Sequence, residues 1–501
     1  LDTPAGTVML LRALDKSGWY IDGAPGDGRS LIQLLQSGPT NAIDGNRTGG
    51  EVLSLDRYMA ALDELPSAAR DAMLRRWGAP ENDPFIRDGA FQLAVHILGN
   101  CVVAIQPARG YNIDPQASYH DPDLVPPHGY FAFYVWLRRV FDVHAIVHMG
   151  KHGNLEWLPG KSVALTNECW PEITLGPVPH VYPFIVNDPG EGTQAKRRAA
   201  AVIIDHLTPP LARAETYGDL AELERLVDEY YEAAGVDPRR LPLLRDDILE
   251  LSRRSGLDKD CGIAAGEDDT PALAKLDNYL CEIKEMQIRD GLHVFGAAPV
   301  GGLLTSLLVA LVRLPRGGGE GGDASLIRAL AQDLGFDGFD PLDCMLGDAW
   351  SGSRPELLAS TAPWRTNGDT VERLELLAIA LIEGSREVEP AWKATANVID
   401  EIESCIRPAV EACGTAEIAG VLTALDGRFV EPGPSGAPTR GRPEVLPTGR
   451  NFYSIDTRTV PTPAAWRLGW KSATLMIERY RQEHGEWPRR MAVSAWGTSN
   501  M

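Results

Sequence analysis

No two of the seven cysteines form a CxxC pair; Cys101, Cys169, Cys261, Cys281, Cys344, Cys405 and Cys413 are scattered through 501 residues. In a chain of this length, that spacing argues against a disulfide framework or a paired-thiolate zinc site and points to free thiols in a reducing cytoplasm. A run of roughly 20 apolar residues is also missing, so no membrane span is expected, and Val300–Leu314 reads as a buried core helix. Nor is there any GxxxxGK[ST]. Gly160-Lys161-Ser162 imitates its end, but six residues separate Gly153 from Gly160, and Pro159 lacks the N–H that a phosphate cradle would use. ATP use would then come from a partner or an unrecognised site. Basic residues are in deficit, 48 against 69 acidic for a net charge of −21, which argues against general nucleic-acid binding. The start has no basic leader segment, cleavage site or initiator Met, and both ends read as cut, so an internal fragment of a longer protein is expected. No repeat of 20–50 residues is evident.

What is present is ordinary globular composition, 44% hydrophobic and 23% charged. The length exceeds what one core usually serves, so two to four domains are expected. The pattern predicts a multi-domain mixed α/β protein with a helix-rich second half. Its segments are a helical or α/β stretch over 1–85, an α/β core over 86–298, a mainly helical domain over 299–430, and a Pro/Gly-rich loop, helix and strand over 431–501. Apolar spacing places helices at Thr7–Leu14, Ser30–Leu35, Leu55–Leu62 and Ala68–Trp77. Phe91–Val95 and Cys101–Ile105 read as strands about the turn Gly99-Asn100. The aromatic run Gly129–Phe141 reads as a helix, and His144–His148 as a buried strand followed by a Gly-rich loop. Val181–Val186 is a third strand candidate. Thr193 reads as an N-cap and Gln194–His206 as a helix stopping before Pro209-Pro210. On that reading Lys196, Arg197 and Arg198 occupy the first turns. They would either favour an anion at the helix start or form a solvated basic turn pairing with Asp188 and Glu191. The run 316–323 reads as a flexible surface loop, 429–450 as a long ordered loop, Pro463–Glu483 as a helix and Met491–Ala495 as a strand.

The densest group of metal-capable side chains is HAIVHMGKHGNLEWLPGK, residues 144–161. His144, His148, His152 and Glu156 follow one another at four-residue steps, and eight of the ten histidines lie between His96 and His206. Imidazole and carboxylate suit first-row divalent metals without selecting among them. The spacing leaves open whether they are metal ligands or structural histidines.

That run, continuing through NDPGEGTQAKRRAAAVIIDHLTPPL, resembles the large subunit of the class I tetrapyrrole metal chelatases. This group holds the magnesium chelatase H subunit and the CobN subunit of aerobic cobaltochelatase. The blocks GNCVVAIQPARGYNIDP, YHDPDLVPPHGY, KEMQIRDGLHVFG and PTGRNFYSID agree in order, so the resemblance covers the whole chain. Met149, Lys151, Trp157-Leu158 and NDPGEGTQAKRR are more similar to the cobalt branch. Magnesium subunits typically show Phe-Gly-Thr, Phe-Met and NNPSEATIAKRR there.

The resemblance implies an ATP-dependent ligase that inserts Co²⁺ into a corrin-type ring, hydrogenobyrinic acid a,c-diamide, in cobalamin biosynthesis. The alternatives are Mg²⁺ insertion into protoporphyrin IX or a non-catalytic tetrapyrrole carrier. ATP and Mg²⁺ would be handled by an AAA+ ATPase partner with its von Willebrand-type subunit. Glu156, His148 and His152 are implied as the catalytic and metal-ligating set, with Glu156 both presenting the metal and accepting a proton. Arg109, Tyr111, Trp157, Lys161, Glu191, Lys196, Arg197, Arg289, His293 and Arg450 are implied to bind the ring.

Overall fold

Three parallel strands carry the site. Ile146–Val147, His180–Ile185 and Val202–His206 lie side by side in that order. Every residue of His180–Ile185 is buried, as expected of a parallel strand covered on both faces. Side chains alternate across a strand, and the register aligns Tyr182 with Ile203 and Phe184 with Asp205. One face therefore carries His180, Tyr182, Phe184, Ile203 and Asp205. It packs on Ala195 and Ala201 and on Phe452. The other face carries Val181, Ile204 and His206. Val181 and Ile204 pack on Leu10, Leu14, Phe295 and Val421. Burying an aromatic such as Tyr182 or Phe184 contributes roughly 1.5–3 kcal/mol, so the two-sided cover holds the strands firmly in place.

The computed structural model describes residues 1–43, 47, 49–114, 123–151, 153–209, 241–255, 291–361, 363–453 and 463–492, with Leu223, Leu226, Ile263 and Lys275 as isolated positions. The chain divides into two compact units, Leu1–Phe452 and Tyr453–Met501. The second contains the helix Pro463–His484. Only two residues of the strand expected at Met491–Ala495 are described, and neither is in a strand.

Within the first unit the expected helices appear as Thr3–Lys16, Gly28–Ser37, Leu55–Asp63 and Ser67–Trp77. The hairpin at Gly99-Asn100 joins Val95–Leu98 to Cys101–Ala104. Phe91–Val95 is not one strand. Ala90–Leu93 pairs with Glu51–Ser54 and Ile86–Arg87 in a separate sheet, and Val95 begins the hairpin. The aromatic run forms the helix His128–Arg139, with nine of its twelve residues buried. A helix apolar on every side belongs inside a core. The helical layer comprises Gly302–Arg313, Leu326–Asp333, Asn367–Ile382, Lys393–Glu401 and Arg407–Leu425. Its core includes the fully buried Leu307, Leu308, Leu311 and Val312, as expected for Val300–Leu314. Asn367–Ile382 starts at a capping box between Thr366 and Asp369. Among the described residues no helix is long and apolar enough to cross a membrane.

Three further expectations are corrected. The helix placed at Gln194–His206 runs from Pro189 to Ala199, and Val202–His206 is a strand. Pro189 occupies the first helical turn, where its missing N–H costs nothing. Ala200 takes a left-handed conformation (φ 46°) that ends the helix, and the β-branched Val202, Ile203 and Ile204 then favour extension. Thr193 is not an N-cap; its hydroxyl donates back to the Pro189 carbonyl at 2.7 Å. The run 316–323 is not a loose surface loop. It folds around Arg316, which is 2% exposed, donates to the Gly322 carbonyl, and has a backbone N–H that donates to Asp323 O at 2.7 Å. Over 215–290 the structure describes the helix Leu241–Ser255 and the isolated positions Leu223, Leu226, Ile263 and Lys275.

Candidate active site: a buried carboxylate beside the parallel strands

Glu156 sits in the short 3-10 turn Leu155–Trp157, in the loop beyond the C-terminal end of the first parallel strand. Open α/β sheets bind ligands at that end. Its side chain is fully buried. Oε1 accepts a hydrogen bond from the Tyr182 hydroxyl at 3.1 Å. Oε2 has no partner. Burial first, and the charge of Glu191 in addition, push the carboxyl up to about 7. A carboxylate in this state exchanges a proton near neutrality, and its bare oxygen is available to a proton or a cation.

The surroundings hold Glu156 in that pose. Tyr182 points into the site because strand alternation puts it on the same face as His180. Its hydroxyl also accepts from the Gly153 N–H. Arg198, at the C-terminal end of Pro189–Ala199, donates to the carbonyls of Glu156 (2.7 Å), Leu158 (2.7 Å) and Lys161 (3.0 Å). Hydrogen bonds from a charged donor contribute about 1.5–3 kcal/mol each, so this one side chain sets the path of the loop. The N–H of Lys161 donates to Cys169 Sγ at 3.4 Å. Burial would raise the Cys169 thiol, but the N–H groups of Thr166 and Lys161 outweigh it and hold the thiol below its usual range. The Tyr130 hydroxyl donates to Asn154 Oδ1 at 2.8 Å.

His148 stands beside Tyr182, with ring centroids 5.4 Å apart. The Ala199 carbonyl can only accept, so His180 Nδ1 donates to it (3.3 Å). His180 Nε2 then accepts from His148 Nδ1 at 2.9 Å. His148 Nε2 accepts from the Tyr134 hydroxyl at 3.3 Å, which in turn accepts from Gln106 Nε2 at 3.2 Å. Burial holds His180 at about 4. Burial, then His180, holds His148 well below its usual value. Both rings are therefore neutral at physiological pH, and both His148 nitrogens are engaged. In this arrangement His148 has no lone pair left for a metal, and it serves to hold the wall against Tyr182. His152 lies outside the described residues. Among the described residues no three His, Cys, Asp or Glu side chains are grouped to hold a metal ion.

The residues implied to bind the ring are dispersed. The helix correction puts Lys196, Arg197 and Arg198 in a last turn, where cations are favourable. The anion-at-helix-start argument for Lys196 and Arg197 therefore falls. Lys196 Nζ donates to Asn451 Oδ1 at 2.6 Å, and burial lowers it to about 8. Arg450 Nη2 donates to the Glu444 carbonyl at 2.9 Å, and its N–H to Asp205 Oδ1 at 2.7 Å. Asp205 also accepts from Gly449 N at 2.8 Å, so it anchors the Gly449-Arg450 turn. Arg109 is fully buried, and its charge acts on Glu156. Trp157 Nε1 donates to Glu191 Oε2 at 2.8 Å. Tyr111 is 41% exposed, and the Lys161 side chain is exposed. Arg289 lies outside the described residues.

His293 is not brought to Glu156. It is buried against Glu417, with Nε2 3.0 Å from both carboxylate oxygens, and stacks on His206 at 5.6 Å. His206 and Tyr182 occupy opposite faces of the sheet by register.

Sequence reasoning missed Tyr182, His180 and Tyr134, and it read Arg198 as part of the basic run, not as the donor to the Glu156 loop. One usable signal was the alternation His180-x-Tyr182-x-Phe184 on a strand already expected. Gly153 offers a direct check on Tyr182. A methyl group there would stand 2.6 Å from the Tyr182 hydroxyl, too close to remain. Gly153→Ala is expected to push that hydroxyl off Glu156 and lower site activity about 10²-fold, with unfolding temperature nearly unchanged. An assay of the full-length variant checks this, and wild-type activity would remove Tyr182 from the site.

The fold and site together define a mixed α/β protein whose reactive feature is a buried carboxylate able to take a proton or a cation. The CobN/Magnesium Chelatase family model matches residues 1–501, and the chain belongs to that family. It is 60% identical to the aerobic cobaltochelatase CobN of a Sinorhizobium species, over 100% of this chain and 41% of the relative. Identity to the aerobic cobaltochelatase CobN of Pseudomonas aeruginosa is 54%, with the same coverage. Identity to the H component of the magnesium chelatase of Chlorobaculum parvum is 29%, over 99% of this chain and 39% of the relative. The solved catalytic subunit of cobaltochelatase from Mycobacterium tuberculosis superposes with a TM-score of 0.62 at 40% identity, covering 100% of this chain and 42% of that one. The chain thus spans about two fifths of the length of these relatives.

Proposed function

We propose that this chain is the metal-inserting portion of a cobaltochelatase large subunit. It would bind a corrin-type tetrapyrrole, hydrogenobyrinic acid a,c-diamide, and place Co²⁺ in it as a step of cobalamin biosynthesis. An AAA+ ATPase with its von Willebrand-type partner would hydrolyse ATP with Mg²⁺. A cytoplasmic location accords with the unpaired Cys101, Cys169, Cys344, Cys405 and Cys413.

The observation that carries this reading is the fully buried Glu156 with one unpartnered oxygen. Metal insertion needs a group that can replace water on a divalent cation and take a proton from a ring nitrogen. Glu156 Oε2 can do either, while Tyr182 fixes Oε1 and Arg198 fixes the backbone. The preference for cobalt over magnesium rests on 60% against 29% identity.

The test is ATP-dependent insertion by the full-length protein with its ATPase partners, with Co²⁺ and Mg²⁺ competing for each ring. Cobalt insertion into the corrin-type ring is expected to prevail by at least about tenfold in rate, a barrier difference of about 1.4 kcal/mol. Equal or greater Mg²⁺ insertion into protoporphyrin IX would overturn the cobalt assignment. Tight ring binding without insertion would overturn the enzymatic one.

A further inference from the structure

We propose that the loop 343–348 is a docking point for the ATP-hydrolysing partner, which would receive Met345 and Leu346 in an apolar pocket rimmed by lysine or arginine. The inference rests on the chelatase reading and adds to it a surface through which ATP hydrolysis is coupled to this subunit.

Met345 is 74% exposed and Leu346 53%, although the backbone beneath them is fixed. The Leu346 carbonyl accepts from Gly368 N at 2.9 Å, and the Asp348 carbonyl from Asn367 N at 2.9 Å. The Met345 carbonyl accepts from Asn367 Nδ2 at 3.1 Å. Trp350 N donates to Arg365 O at 2.8 Å, and Ala349 bridges to Thr366. The loop is thereby tied to the capping box that starts Asn367–Ile382. The approach is close: a methyl group on Gly368 would stand 3.2 Å from the Leu346 carbonyl oxygen. Two neighbouring apolar side chains left in water forgo the stabilisation of burial, and a loop held in this way cannot turn them inward. Paired exposure of this kind marks a surface for another molecule more than a lone exposed leucine does. A tip whose backbone is already fixed also loses little conformational freedom on binding.

The charge around the tip selects the partner. From Ala329 to Ser353 the sequence has five aspartates and no lysine or arginine. Asp337, Asp343 and Asp348 are exposed. The flanking cations are engaged. Arg328 pairs with Asp340 at 2.7 Å, Arg354 donates to the Trp350 and Trp364 carbonyls, and the charge of Arg365 acts on Asp369. Burial first, and the charges of Asp340, Asp343 and Asp348 in addition, push up the Cys344 thiol next to Met345, so these carboxylates lie together around the tip. An apolar projection ringed by negative charge is complementary to an apolar pocket with a basic rim. A second copy of this chain, at a net charge of −21, would be repelled. The sequence holds no GxxxxGK[ST] phosphate loop, so on the chelatase reading ATP hydrolysis has to reach this subunit through a protein surface.

The experiment uses the full-length protein with its ATPase partners. It compares the double variants Met345→Ser with Leu346→Ser, and Asp343→Asn with Asp348→Asn, against wild type. Asp340 is left intact because it holds Arg328 and the Leu342 N–H. The readouts are affinity for the ATPase partners at low and high salt, tetrapyrrole affinity by fluorescence quenching, and the unfolding temperature of the subunit alone. The serine variant is expected to weaken partner binding about 10-fold, with ring affinity and unfolding temperature unchanged. The asparagine variant is expected to weaken it about 3-fold at low salt and to flatten its salt dependence, since fewer charges remain to be screened. Wild-type partner affinity in the serine variant overturns the proposal. If its unfolding temperature also falls, the tip packs against the rest of the full-length subunit. If wild type is a dimer that the variant dissociates, the tip belongs to a second copy. If the serine variant does not accumulate as folded protein, the asparagine variant decides by the same affinity. Failure of the chelatase reading is separately visible, because wild type would then insert no metal at all.

Discussion

Glu156→Gln in the full-length protein is expected to lower ATP-dependent Co²⁺ insertion by about 10²–10⁴-fold, the range for removing a positioned proton acceptor. Tetrapyrrole affinity and unfolding temperature should stay near wild type. Glutamine keeps a carbonyl oxygen where Oε1 accepts from Tyr182, so the loop retains its anchor. It loses the negative charge that attracts a cation and the basicity that takes a proton. Burial holds the Glu156 carboxyl at about 7, so the ionised fraction of the wild type increases between about pH 6 and 8. Insertion in wild type is expected to rise over that window, and the rise should be absent in Glu156→Gln. Ring absorbance during single-turnover insertion measures both. A glutamine variant that inserts cobalt at the wild-type rate would remove Glu156 from the chemistry.

The largest stability effect is expected on the opposite face of the sheet. Glu417 is fully buried and accepts from Leu207 N (2.9 Å), Gly296 N (2.9 Å), Thr448 Oγ1 (2.8 Å) and His293 Nε2. One carboxylate thus joins the end of the third parallel strand to three other segments. Glu417→Ala leaves two backbone N–H groups and an imidazole buried without their acceptor and is expected to cost about 3–5 kcal/mol. Burial alone would raise the Glu417 carboxyl; the charge and hydrogen bonds of His293 outweigh it and hold the carboxyl below its ordinary value of 4.5. The native state therefore binds the proton less readily than the unfolded chain. The stabilising contribution is fully present above the unfolded value and is lost as pH falls through the lower folded one. Denaturant titrations from pH 7 down to pH 3 should show a shallower acid limb in Glu417→Gln than in wild type. Superimposable limbs would show that another carboxylate carries it.

The candidate site residues were singled out in HAIVHMGKHGNLEWLPGK, but the weight within it was not legible. Three histidines and a glutamate at even steps look equivalent on paper. They diverge because His148 meets His180 and Tyr134, residues outside the motif, and both its nitrogens are taken up. Lys196, Arg197 and Arg198 also look alike in sequence. Moving the helix start to Pro189 turned them from a first turn into a last one, and only Arg198 reaches back to the Glu156 loop. His293 lies in a block as distinctive as the others. Strand parity nevertheless separates it from Glu156, since adjacent residues Asp205 and His206 face opposite ways.

Composition and motif order by themselves determined the mixed α/β class, the family and the choice of Glu156 as the acid to watch. These depend on residue identity and local spacing, which can be read along the chain. Tertiary structure alone decided that Glu156 would be stripped of solvent with one oxygen held and the other bare. It likewise decided that Tyr182 and Arg198 would hold it, and that His293 would belong to a separate buried cluster. Burial and hydrogen-bond satisfaction are sums over segments far apart in sequence, brought together by strand register and helix packing, so no local pattern encodes them.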